Sequence, residues 1–292
     1  MSEPTEKDFP EPVFVGGSAR SGTHAIGRLL DSHPRYHLIA VESRFHCGTG
    51  GLTDLLNGNT DLDSYCERVL GQWWQRGLQQ HRGLQVIMER SELERAIARF
   101  RDGFPENPWD SGRRLVRDIL DPSAARAGKP TWVDLSGSNI RQSPTLLKLF
   151  PNARFIHMVR DGRAVTAAIL KKRDMTDDLE QAFGHWVMRV RRSDAALRRL
   201  PPGAALTIYL DDLTAHDREH QFGRLVEYLQ LDDPQPMRDY FDRTISPEKA
   251  HVGAWRERMA PADARWVDRR YRRLVRRLRR EGIDWVPEPG SR

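Results

Sequence analysis

The stretch Val13-Phe14-Val15-Gly16-Gly17-Ser18-Ala19-Arg20-Ser21-Gly22-Thr23-His24-Ala25-Ile26-Gly27-Arg28-Leu29-Leu30 narrows what this chain can fold into more than any other. It reads as a short buried strand, a glycine-rich turn carrying one arginine, and a helix. That pattern is a phosphate cradle. Gly16, Gly17 and Gly22 let the backbone take positive φ and approach a ligand closely, and the N–H groups and dipole at the start of the helix favour an anion. Arg20 adds a permanent charge and a planar fork of donors, and the hydroxyls of Ser21 and Thr23 can bond phosphate oxygens. The same residues could also make an ordinary strand-to-helix turn. The Gly-Lys-Ser/Thr ending of nucleotide-triphosphatase loops is missing, and Arg20-Ser21-Gly22-Thr23 stands in its place.

A second stretch, Leu149 to Val165, repeats the strand, polar turn and helix pattern around Arg160-Asp161-Gly162-Arg163. Arg160 can clamp a phosphate bidentately, Gly162 permits the sharp turn, and Asp161 can accept from turn N–H groups. Surface ion pairing is the other use for Arg160 and Arg163.

Together the two motifs resemble the sulfotransferases that use 3'-phosphoadenosine 5'-phosphosulfate (PAPS), in order from about Val13 to Trp255 and closest to the tyrosylprotein sulfotransferases and the bacterial enzymes similar to them. The resemblance implies that residues Gly17, Ser18, Ala19, Arg20, Ser21, Gly22, Thr23 and His24 hold the 5'-phosphosulfate and that Arg160 lies by the 3'-phosphate. Relatives have a serine eight residues beyond that arginine, where this chain has Ala168. Tyrosylprotein sulfotransferases have a Glu-Thr-Arg whose glutamate is the catalytic base. Glu42-Ser43-Arg44 matches it, allowing one inserted residue, so the resemblance makes Glu42 the base and Arg20 its catalytic cation; His24 and His46 are the other bases in reach of the motif. Many relatives also carry a lysine that contacts the bridging oxygen of PAPS, and here Leu135 replaces it. Either Arg20 acts alone, Lys129 or another cation reaches in, or transfer is impaired. The run Tyr209-Leu210-Asp211-Asp212-Leu213 resembles the family's Tyr-Glu-Asp-Leu signature, with Tyr209 either reaching the adenosine or packing. Gly253-Ala254-Trp255 resembles a late loop over the nucleotide, with Trp255 either shielding adenine or filling core.

At 292 residues with 38% hydrophobic and 30% charged side chains, the chain is an ordinary globular one. No linker or low-complexity tract divides it, so the expected organisation is a polar tail over residues 1–12 and a single sulfotransferase domain over 13–285. A helical insertion at about 48–128 would cover the acceptor. Strands alternating with helices give an α/β class, a P-loop-like three-layer sandwich with a central, mostly parallel sheet. Its strands are expected near Val13, over Leu38–Val41, over Thr131–Asp134, over Ala153–Val159 and over Leu206–Leu210.

The tail has no apolar core of the kind a secretory signal carries, no run reaches membrane-spanning length, and the two cysteines, Cys47 and Cys66, suit neither a disulfide framework nor a metal. A cytoplasmic protein without membrane or metal is the expectation. The net charge of +6 suits a polyanion. Much of it lies in the arginines between Arg269 and Arg280, interleaved with Val267, Tyr271, Leu274, Val275 and Leu278 at helical spacing. That reads as an amphipathic helix with a solvated basic face, with no base-reading module to support nucleic acid. The function implied is sulfuryl transfer from PAPS to a hydroxyl acceptor, a carbohydrate, lipid or specialised metabolite, with protein tyrosine as the alternative. A nucleotide-binding protein without turnover, or a P-loop kinase, is the reading from another class.

Overall fold

The computed structural model describes residues 12–76, 82–172 and 175–290; most of the polar tail lies outside the described residues. Five strands, β1 (Val13–Gly17), β2 (Tyr36–Leu38), β3 (Thr131–Asp134), β4 (Arg154–Val159) and β5 (Ala205–Tyr209), form one sheet in the order β2-β3-β1-β4-β5. The pairings of β3 with β1 and β2 are parallel, with Val13 opposite Val133 and Tyr36 opposite Thr131. This is the α/β sheet that the alternation of strands and helices predicts. Every residue of β1 and β3 is buried, which suits the apolar run Val13-Phe14-Val15 and leaves Thr131 and Asp134 as polar ends of β3 inside the fold.

The chain forms two compact units without a linker, dividing inside β1, β4 and the first helix, α1 (Thr23–Asp31). The first unit holds residues up to 15 and 27–155. Its helices are α2 (Leu52–Leu56), α3 (Leu62–Leu70), α4 (Gln72–Gln75), α5 (Arg90–Gly103), α6 (Pro108–Arg126) and α7 (Ser143–Leu149). Local chemistry sets their starts. Asp61 accepts the Ser64 N–H, Glu89 and Glu92 make a reciprocal capping box, and Asn107 caps α6 ahead of Pro108. Tyr65, Val69 and Trp73 of α3 and α4 and Leu93, Ile97 and Phe100 of α5 are buried, with Tyr65 edge-on to Phe100, while Leu62 is half-buried. Trp74 and Trp109 instead keep part of their surface and take Arg90 and Lys148 over their rings. At the centre of this unit Phe14 stacks on Phe155 and meets the edge of Trp132.

One strand lies elsewhere than its apolar run suggests. The run Leu38 to Val41 is strand only at Leu38, because pairing with β3 begins at Tyr36, directly after the turn at His33-Pro34. The Leu38 N–H goes to Asp31 Oδ1 and the Ile39 N–H to the Val133 carbonyl, after which the backbone leaves the sheet. Ile39 and Val41 are buried as loop residues. Glu42 therefore follows the strand by four positions.

The second unit holds residues 16–26 and 156 onward, with α8 (Gly162–Lys172), α9 (Leu179–Leu197), α10 (Arg218–Leu229), α11 (Gln235–Thr244), α12 (Trp255–Arg258) and α13 (Pro261–Arg280). Its core joins Val165 and Ile169 of α8, Phe183 and Trp186 of α9, and Tyr271, Val275 and Leu278 of α13. That seam makes α13 the amphipathic helix its spacing predicts, arginines outward.

His157 of β4 is 2% exposed, bonds Thr207 Oγ1 through Nδ1 and sits edge-on to Trp285. Burial pushes its pKa down to about 3. A histidine kept neutral by the fold contributes stability that is fully present above its unfolded pKa near 6.5 and is lost as pH falls toward 3, by at most about 1.4 kcal/mol per pH unit. Urea unfolding from pH 7 to pH 4 should therefore show a smaller decline in stability for His157→Gln than for the native chain. Parallel declines would remove His157 from the acid response.

Candidate active site

The loop between β1 and α1 is built by close approach. Gly17 has φ of 148°, and a Cβ there would lie 2.3 Å from the Met158 carbonyl oxygen. Gly22 has φ of 95° and packs against Leu210, and Arg20 between them also takes a left-handed φ of 64°. Ser21 is fully buried, its N–H and Oγ both directed to the Ser18 carbonyl, at 3.3 and 2.7 Å. Its hydroxyl thus fixes the turn, whereas the half-buried Thr23 opens α1 and His24 is exposed in the first turn. The N–H groups of Ala25 and Ile26 both go to the Gly22 carbonyl, so those ahead of them belong to the open first turn of the helix. Half-buried Ser18 and Ala19 complete the bend.

Arg160, just past β4, ties this loop down by donating from Nη1 to the Arg20 carbonyl at 3.1 Å. Its side chain is 13% exposed, its Nε lies 3.9 Å from Asp211 Oδ1, and that Nε has no hydrogen-bond partner among the described residues. Burial lowers its pKa and the Asp211 carboxylate pulls it back up, leaving a guanidinium that stays charged. A largely buried cation with an unmet donor makes Arg160 the candidate anion ligand of this turn.

Arg163 of the same turn has another use. It is buried, forks onto Asp161 through Nε and Nη2, reaches Asp268 of α13, and lies 4.7 Å from the ring centres of both Trp255 and Tyr271. Burial alone would lower its pKa, but the two carboxylates raise it. It is a strut, neither a surface ion pair nor a phosphate ligand. Asp268 comes from 105 residues along the chain, and no spacing in the sequence points to it.

Beside Arg160 lies a cavity of about 220 Å³, walled by Tyr209, Asp211, Gly253, Trp255 and Arg256 among others. Trp255 packs on Ala164 and Ala167 of α8 and lines the cavity. Tyr209 is a half-buried wall residue. Ala168, one turn beyond Ala164, is half-buried and is not part of that wall.

In the first unit, Glu42 is half-buried in the loop after β2, beside fully buried Ser43 and Arg44 in a left-handed φ of 59°. His46 is fully buried, with Nε2 at 3.0 Å from Asn139 Oδ1 and 3.2 Å from Asp134 Oδ1. Burial opposes its charge, yet the Cys47 sulfur and the Asp134 carboxylate hold its pKa well above the usual value. Those partners favour the charged form of the ring, which faces Asp134 and Asn139 inside the first unit. Lys129 is bound at the end of α1, donating to the Asp31 carbonyl and carboxylate, which removes it as the replacement for the family lysine. Leu135 is buried against Gly27, where a Cβ would come within 2.6 Å of it.

Residues 12–235 match the Sulfotransferase family. The chain belongs to that family. It is similar to protein-tyrosine sulfotransferase A of Caenorhabditis elegans, 23% identical over 227 residues, which cover 75% of this chain and 50% of that one. It thus spans half the length of that relative. Two solved structures share its fold. One is the sulfotransferase domain from the curacin biosynthetic pathway (TM-score 0.54, 13% identity, 96% of this chain and 99% of that one). The other is sulfotransferase STF9 from Mycobacterium avium (TM-score 0.51, 17% identity, 93% and 79%). The matched family region stops before α13, so the Arg163–Asp268 strut reaches outside it. Among the described residues no helix is long and apolar enough to cross a membrane.

Arg163→Ala leaves Asp161 without its paired cation, takes one of two arginines from Asp268, which keeps Arg272, and opens the space between two aromatic rings. The expected loss is about 3 kcal/mol, seen as a lower urea midpoint with unchanged slope. A native-like midpoint would show that the strut adds nothing to stability.

Proposed function

We propose that the chain moves a sulfuryl group from PAPS to the hydroxyl of a small molecule, a carbohydrate, lipid or specialised metabolite. The single observation that carries the reading is Arg160, a buried guanidinium with an unmet Nε that borders a 220 Å³ cavity and holds the Arg20 loop by its backbone. Those residues fit a nucleotide carrying two separate phosphate groups. Gly17 to His24 would receive the 5'-phosphosulfate, Arg160 the 3'-phosphate, and Tyr209 with Trp255 would flank the adenosine. PAPS supplies an activated sulfuryl group when bound. The protein's part is to bind, orient and balance charge, as in phosphoryl transfer. Arg20 and the helix start would stabilise negative charge on the transferring group, and Glu42 would take the proton of the acceptor hydroxyl.

A protein tyrosine is the second acceptor reading, favoured by the name of the C. elegans relative and by the Glu42-Ser43-Arg44 match. A nucleotide-binding protein without turnover is supported by two departures, Leu135 and Ala168, which remove a cation and a hydroxyl that relatives use.

Calorimetric titration with 3'-phosphoadenosine 5'-phosphate (PAP), against ATP with and without magnesium, tests the cofactor. Metal-independent preference for PAP is expected, and preference for magnesium-ATP or no binding would overturn the proposal. Arg20→Ala should abolish PAP binding. Glu42→Gln should leave binding intact and lower transfer by about 100-fold or more, the scale of general-base catalysis; normal turnover in that variant would remove Glu42 as the base.

A further inference from the structure

Arg160 shares its cavity with a carboxylate. Asp211 follows β5 at the head of the π-helical turn Asp212–His216, which is fixed by the Thr214 hydroxyl donating to the Leu210 carbonyl at 2.8 Å. The Asp211 side chain is 18% exposed and its Oδ1 stands 3.9 Å from Arg160 Nε. That separation neutralises charge but is too long for a hydrogen bond. The carboxylate thus balances the arginine without satisfying its donor, which a phosphate oxygen could do. A phosphate bound there would lie beside Asp211, and two anions in a partly buried site cannot both stay ionised without a large penalty.

We propose that Asp211 sets the proton balance of the Arg160 pocket: it balances Arg160 in the free protein, and takes up a proton when a 3'-phosphate binds. The inference rests on the PAPS reading above and deepens it. The proton comes from solvent to a carboxylate oxygen, and the resulting carboxyl can donate to the phosphate where the carboxylate would repel it.

The surroundings favour the neutral form. Burial raises the Asp211 pKa and Arg160 lowers it; Asp161 and Asp212 add to the rise, and His216 opposes it. From α12, Arg256 lines the cavity and Arg258 acts on Arg160. Glu288, which also lines it, pairs with Arg279 at 3.0 Å, and the phenol of Tyr209 completes the titratable groups of the wall. Arg163 adds little positive field, because Asp161 and Asp268 already hold it.

The test is calorimetry on the full chain with PAP and with AMP, which lacks the 3'-phosphate, in buffers of different ionisation enthalpy between pH 6.5 and 8.5. PAP should take up close to one proton more than AMP, and its affinity should weaken with rising pH by up to about tenfold per unit. Asp211→Asn should abolish the extra uptake, flatten the pH dependence and tighten PAP about tenfold at pH 8, with AMP unchanged. Should that variant not fold, the native chain decides: equal proton uptake for the two nucleotides overturns the proposal. PAP binding that is identical in proton uptake and pH slope for native and Asp211→Asn protein overturns the role of Asp211 and leaves the PAPS reading standing. Absence of PAP binding to the native chain overturns both.

Discussion

The contact between Gly17 and the Met158 carbonyl is the constraint on which the site depends. With no room for a Cβ, the end of β1 lies against the end of β4, and the two loops that leave these strands start side by side. Arg160 then needs only one bond, to the Arg20 carbonyl, to join them. Any side chain at position 17 would separate the strand ends and with them the two cationic loops. The left-handed φ of Arg20 follows from the same geometry, since the turn must reverse within a few residues before α1 begins.

Two arginines three positions apart show how burial and partners divide the work of one turn. Arg163 has two carboxylates and two aromatic rings, which fix it as a strut between α8 and α13. Arg160 has one carboxylate at Coulomb distance and an unmet donor, which leaves it able to receive an anion. The strut matters to the site because it holds the turn from which Arg160 projects and backs Trp255 on the cavity wall.

The histidines divide in a similar way. Burial pushes the His157 pKa down, whereas the Asp134 carboxylate and the Cys47 sulfur push that of His46 up against its burial. The Asp134 pKa is depressed: burial would raise it, but His46 and Asn139 outweigh that. Asn139 extends the cluster to the Val15 carbonyl of β1. This polar knot occupies the end of β3, and Leu135 beside it fills the space that Gly27 leaves on α1.

The amino-acid sequence determined what local chemistry can determine. Short β-branched and aromatic runs marked β1, β3 and β4, the glycines and Arg20 marked the cradle, and helical spacing marked α13, because each depends on neighbours within a few residues. It misplaced β2, since the run from Leu38 to Val41 is as apolar as a strand and only the pairing of Tyr36 with Thr131 shows where the sheet ends. Tertiary structure alone decided which arginine of the second turn keeps an unmet donor, that Asp134 lies against His46, and that Asp211 faces Arg160. Those outcomes depend on groups tens to more than a hundred residues apart. Burial and charge partners, not residue type, set what each of them can do.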